Sequence, residues 1–269
     1  MTQSSLTVAV SNAFFKSLNK LPDKSRGKVA SFLSKFRDNP RSPGLNYEHI
    51  EGGKDNLIRS VRVDQEIRCI VRAPDQGNVY VLLWVDKHDD AYQWAKRRSC
   101  HVNRVSGALQ IVDVESAEEA IATSVDSKSE KASFSKSDKV ASLFVSCSNE
   151  QLMLIGVPEV LIPAVRACNN EDSLNMLIEW LPQSCVEGLI LLADGCNIEE
   201  VINEVVINSK GKVDISDVAT ALDRPESMAE FMVITDDDVL EAMLSAPMEQ
   251  WRGFLHPSQR RLVERDWNG

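Results

Sequence analysis

At 269 residues, with 43% hydrophobic and 26% charged positions, the chain has an ordinary globular composition and is long enough for roughly two domains. No apolar run could cross a bilayer, and the start, MTQSSLTVAVSNAFFK, lacks the basic leader, apolar core and cleavage site of a secretory signal, so a cytoplasmic protein without membrane contact is expected. The formal net charge of −10 is unevenly spread: residues 1–100 carry 17 Lys and Arg against 11 Asp and Glu, a net +6, which leaves −16 on the remainder. A basic front attracts polyanions such as RNA or DNA, whereas an acidic back repels them unless it screens or regulates the front; two solvated surfaces of opposite sign would give the same composition. The cysteines, at 69, 100, 147, 168, 185 and 196, form neither a CxxC pair nor a Cys/His cluster, so reduced thiols and no metal site are expected.

In chain order, LTVAVS alternates as a short strand, and Ser11 is placed to cap a helix through NAFFKSLNKLP. The next segment, DKSRGKVASFLSKFRDNP, sets Val29, Phe32, Leu33 and Phe36 at helical spacing and stops before Pro40. Three strands follow, NLIRSVRV, EIRCIVRA and NVYVLLWVD, separated by DQE and PDQGN, whose turn chemistry predicts a meander. HDDAYQWAKRR then reads as a short helix, acidic at its start and basic at its end, as the helix dipole favours.

From about 113 to 140 the chain is rich in Ser, Glu, Lys and Ala and predicts a flexible linker. NEQLMLIG, PEVLIPAVRAC, EDSLNMLIEWL, SCVEGLILLADG and IEEVINEVV read as helices with apolar faces and Gly or Pro punctuation, and the stretches around Gly156 and Gly195 are loosely alike. FMVITDDDVLEAMLSAPMEQWRGFL predicts a strand followed by a helix. The fold class is therefore α+β, arranged as an α+β domain over 1–100, a linker over 101–140, a mainly helical domain over 141–246 and the start of a further domain over 247–269. EGGKDN and NSKGKVD both lack the GxxxxGK[ST] spacing of a phosphate loop, and His49 and His101 read as surface residues.

The element order of the first hundred residues, with IRSVRVDQEIRCIV and LLWVDKHDDAY, resembles the RelE/ParE superfamily of toxins, small basic proteins with two helices on an antiparallel sheet. In its ribonuclease members, basic side chains on the sheet and an aromatic near the C-terminus are implicated in cutting messenger RNA within the ribosome. The resemblance places Arg62 and Arg68 at the strand arginines, and His88 and Tyr92 at the basic and aromatic C-terminal positions. Ser60 departs from the pattern, standing where a second basic residue often stands, and Asp86, Asp89 and Asp90 weaken the positive field around His88. Cutting RNA through its 2′-hydroxyl needs a base, cations for the developing charge and an acid, which these residue types can supply. The same residues have a structural reading: Arg62 and Arg68 solvated or paired with Asp64 and Glu66, and Tyr92 with Trp94 anchoring the last helix. For binding without cutting, Arg59, Arg62, Arg68, Arg72 and Lys87 are the candidate phosphate contacts.

The terminal run WRGFLHPSQRRLVERDWNG resembles the segment just upstream of the first ATPase motif in UvrD-like superfamily 1 helicases, with Gln259 in the place of the glutamine that reads adenine. An amide suits that task because it accepts from N6 and donates to N7. The resemblance implies a helicase whose ATP and Mg are held by a core outside this sequence, so this chain itself is expected to bind no cofactor. The leading expectation is the N-terminal regulatory or recruitment region of such a helicase, contacting nucleic acid, the ribosome or a protein through the basic domain. A RelE-like endoribonuclease and a catalytically inactive protein-interaction scaffold are the alternatives.

Overall fold

The computed structural model describes residues 6–74, 77–116, 142–205 and 213–236. Alternating small and apolar residues make β1 (Thr7–Ser11), and Ser11 then serves two elements. Its hydroxyl accepts from Phe14 N at 3.1 Å to cap α1 (Asn12–Leu18) and donates to Leu83 O at 2.9 Å on a neighbouring strand. In α2 (Asp23–Asp38), Val29, Phe32, Leu33 and Phe36 form one buried stripe, as their spacing predicts. Strands β2 (Tyr47–His49), β3 (Ile58–Arg62), β4 (Ile67–Arg72) and β5 (Val79–Lys87) follow, and α3 (His88–Lys96) turns back from the end of β5.

The sheet order is β2-β3-β4-β5-β1, with β1 parallel to β5 and the meander antiparallel. Both faces are covered, which is why β4 is buried along its whole length rather than alternating. One face sets Val10, Cys69, Val71, Leu82 and Val85 against Phe14, Leu18, Val29, Phe32 and Phe36 of the two long helices. Each such large side chain contributes about 1.5–3 kcal/mol through burial. On the other face α3 buries Ala91 and Ala95, whose small side chains let the helix approach closely. The β3–β4 turn is closed by Asp64, whose carboxylate accepts from Glu66 N at 2.8 Å and Ile67 N at 2.7 Å and pairs with Lys28 of α2 at 2.5 Å. Burial alone would raise the Asp64 carboxyl; Lys28 and the two amides outweigh it and hold it below the ordinary range. The expected α+β fold, with its strand, two helices, meander and terminal helix, is the observed one.

Two domain boundaries differ from expectation. Residues 101–116 are not linker: β6 (Arg98–Val102) and β7 (Leu109–Asp113) form a two-stranded sheet with Val102, Ala108, Leu109 and Val112 buried. The Ser- and Glu-rich composition starts only after this hairpin; residues 117–141, the rest of the expected linker, lie outside the described residues. Nor do residues 141–246 form one helical domain. After α9 (Val218–Leu222) and α10 (Pro225–Met228), β8 (Phe231–Ile234) pairs antiparallel with β1 and becomes the sixth strand of the first sheet. Asn12 locks the approach, its amide Nδ2 donating to Ala229 O and its backbone N–H to Glu230 O, each at 2.8 Å. Within the described residues, the first compact unit thus comprises the chain up to Cys100 together with Ser216 onward, and the second runs from His101 through Ile215.

The second unit carries the helices its sequence predicts: α4 (Asn149–Leu154), α5 (Ile162–Ala167), α6 (Glu171–Ile178), α7 (Gln183–Ala193) and α8 (Ile198–Val205). The likeness around Gly156 and Gly195 has a physical basis, since both end a helix in the same way. Gly156 (φ 101°) donates to Met153 O and Val157 N to Leu152 O; Gly195 (φ 91°) donates to Leu192 O and Cys196 N to Leu191 O. This is the Schellman closure, and its left-handed residue favours glycine. Inside the unit, Asn103 is 4% exposed and fully used. Its Nδ2 donates to Met153 O and Val157 O, each at 3.2 Å, and its Oδ1 accepts from Val105 N at 3.0 Å and Ser106 N at 3.1 Å. Gln110 Nε2 adds a bond to Gly156 O at 2.6 Å. Among the described residues no helix is long and apolar enough to cross a membrane.

Candidate functional site

The strand register places Arg62, Arg68 and Arg72 on the sheet face covered by α3, whereas Arg59 and Lys87, opposite Val71 and Ile67, belong to the other face. Glu48 lies opposite Ser60, Arg62 opposite Arg68, and Arg68 opposite Asp86, so these side chains occupy two adjacent cross-strand rows. From α3, Tyr92 reaches back to donate its hydroxyl to Glu48 Oε2 at 2.7 Å. His88, one turn earlier, stacks on Tyr92 with ring centroids 4.6 Å apart, places Nδ1 2.8 Å from Asp89 Oδ1, and ties the helix start to the β3–β4 turn through its N–H to Glu66 O at 2.8 Å.

The cations differ in what they can offer a ligand. Arg68 is 4% exposed; Nη1 donates to Asp64 O at 3.0 Å and Ile67 O at 3.1 Å, and Nε lies 4.0 Å from Glu48 Oε2. Arg72 is 6% exposed and spends Nε on Cys100 O at 2.9 Å. Arg59 turns its guanidinium onto the carbonyls of Asn56 and Ile58. Only Arg62 and Lys87, among the five predicted phosphate contacts, are exposed residues. The predicted patch is therefore split: its middle is internal structure, because residues of β4 on this face lie beneath α3 and the chain leading to Cys100.

Burial raises the Tyr92 hydroxyl above the ordinary tyrosine range and the Glu48 carboxylate raises it further; the nearby Ser60 hydroxyl, which approaches without closing a hydrogen bond, and the Arg68 cation oppose them. Alkaline titration should show the Tyr92 phenolate forming above the ordinary range, and Glu48→Gln should move it back down. An unmoved titration in that variant would break the assigned pairing. Chemically, the cluster offers a carboxylate, a phenol, a buried guanidinium and an exposed imidazole. Arg68 lies between Glu48 and Asp86, so little of its positive field remains for a phosphorane.

Sequence reasoning missed Glu48. NYEHI forms only a three-residue strand, too short for a period to be read, and no motif singles out its acid. It also missed the pairing of Trp84 with Trp94, whose rings stack at 5.1 Å and 11°. Gln259 lies outside the described residues. All six cysteines are free thiols; burial pushes Cys69, Cys100 and Cys168 upward, away from reactivity. Among the described residues no group of three His, Cys, Asp or Glu is arranged to hold a metal ion.

No family model matches the sequence, and no curated protein does. Two solved structures from Helicobacter pylori are similar to part of the chain. One is the crystal structure of a metal-bound toxin, 22% identical, aligned over 32% of this chain and 98% of its own with a TM-score of 0.24. The other is the solution structure of a conserved hypothetical protein, 22% identical, aligned over 32% of this chain and 99% of its own with a TM-score of 0.22.

Proposed function

We propose that the first unit is a RelE-like module that recruits a UvrD-like helicase to nucleic acid without cutting it. The observation that carries this reading is the engagement of the strand arginines. Arg68 and Arg72 are buried on carbonyls and Glu48, where they hold the fold and cannot close on a transition-state phosphate. Binding needs only exposed cations, and those remain. The helicase part of the reading comes from the resemblance of 251–269, with Gln259 as the adenine contact and ATP and Mg held beyond it; the acidic second unit would keep nucleic acid on the first.

The endoribonuclease reading has one observation in its favour, the convergence of Glu48, Tyr92, Arg68 and His88. A reconstituted translation assay separates the two. We expect no defined cut in ribosome-bound messenger RNA. A robust cut that Tyr92→Phe and Glu48→Gln both remove, with their folds intact, would make the cluster a nuclease site. If the chain binds neither RNA nor DNA at low salt, the scaffold reading replaces both.

A further inference from the structure

We propose that Trp84 and Trp94, with the cations Lys20 and Arg98 on their outer faces, form a binding platform for single-stranded nucleic acid. The proposal rests on the reading of the first unit as a nucleic-acid module and names where the strand is held. Trp84 lies on β5 and Trp94 on α3, and the two indoles are nearly parallel. The Arg98 guanidinium sits 4.7 Å from the Trp94 ring centroid and is fixed there by Nη1 donating to Trp94 O at 3.2 Å. Lys20 lies over Trp84 at 5.9 Å, near the outer limit of a cation–π contact, and is exposed. The order along the stack is therefore cation, indole, indole, cation.

A tryptophan pair that only filled a core would be buried among apolar side chains. Both of these rings are part-exposed, and each outer face is covered by a charge. The two ends are unequal. Arg98 is close and anchored, whereas Lys20 comes from the loop between α1 and α2 and makes only the long contact. Trp84 Nε1 finds no acceptor among the described residues, so the ring is held by stacking and packing rather than pinned through its N–H. An unpaired base can take the place of Lys20 over Trp84, extending the stack to three rings, while the displaced ammonium moves to the neighbouring phosphate. Lys16, four residues earlier and exposed, adds charge to this end of α1, tempered by its attraction to Glu230. A duplex cannot use this surface, because paired bases hide their faces in the helix. Aromatic faces flanked by cations are how sequence-tolerant single-strand sites work.

The test is titration of labelled oligo-dT, oligo-rU and a duplex of equal length into the full chain at low salt, in the wild type, Lys20→Glu and Trp84→Leu. Single strands should bind more tightly than duplex, and the dT and rU arms tell DNA from RNA. Lys20→Glu should weaken single-strand binding about tenfold and flatten its salt dependence by roughly one phosphate contact, with the melting temperature unchanged. Trp84→Leu should weaken it similarly, and Trp84→Phe should restore most of the loss. If single strands bind but Lys20→Glu and both Trp84 variants bind like the wild type, the platform is wrong and recruitment stands on other residues. If neither strand nor duplex binds the wild type at all, the platform and the recruitment reading fall together.

Discussion

Asn103→Ala should destabilise the second unit by roughly 3 kcal/mol or more, the cost of stranding several buried polar groups at about 1–3 kcal/mol each. One side chain satisfies the carbonyls of Met153 and Val157 at the end of α4, and the amides of Val105 and Ser106 in the turn before β7. Alanine removes these bonds and leaves both carbonyls and both amides without the side chain that joins them. Asn103→Asp should be nearly as damaging, since it keeps an acceptor for the turn amides but turns a second oxygen on the two carbonyls. Urea denaturation gives the measurement. A loss below about 1 kcal/mol in both variants would show that the turn and helix end are solvated rather than joined.

The second large effect concerns the sixth strand. Ile234→Asp should lower the melting temperature of the first unit by about 10 °C, because a carboxylate would replace a side chain only 5% exposed, a loss of a few kcal/mol in a unit of this size. For the same reason a fragment of residues 1–100 should fold less stably than when a peptide of residues 216–236 is added, which should bind it and restore the difference. An unchanged melting curve with the peptide present would show that the five-stranded sheet is complete in itself. The docking should also depend on pH. Burial pushes the Glu230 carboxyl up to about 7, with Lys16 opposing. A carboxyl whose folded pKa is raised favours the folded state when protonated, so the strap is firmest below the ordinary carboxylate range and weakens as pH rises from there through 7, then levels off. Glu230 keeps some exposure, which limits the size of the change; Glu230→Gln should flatten it.

Much of the first unit could be read directly. The capping serine, the stripe of Val29, Phe32, Leu33 and Phe36, and the three hairpin-linked strands are local patterns, and each is present where its pattern lies. What could not be read is what depends on distant partners. Arg72 looks like any strand arginine until Cys100, 28 residues later, takes its Nε. Glu48 gains its role only when Tyr92, 44 residues on, folds back over it. FMVI reads as a short apolar strand, but nothing in its four residues says which of two units it joins; Asn12, 217 residues before Ala229, decides that. The hairpin at 98–113 belongs to the same class, because its turn asparagine, Asn103, meets Met153 and Val157 only 50 and 54 residues later.

The return of β8 to β1 has a consequence for how the protein is made. A nascent chain that has delivered β1, the meander and α3 still has a bare sheet edge, with the N–H and C=O groups of β1 unpaired on one side. Residues 101–215 must emerge before the closing strand does, on the order of ten seconds at ordinary elongation rates. During that interval the helical unit is being synthesised as an insertion between two strands of a sheet that is waiting for its last member. Sheet edges in this state recruit other strands, so the first unit is at its most aggregation-prone while still on the ribosome. Its completion is timed by the synthesis of the unit inserted within it.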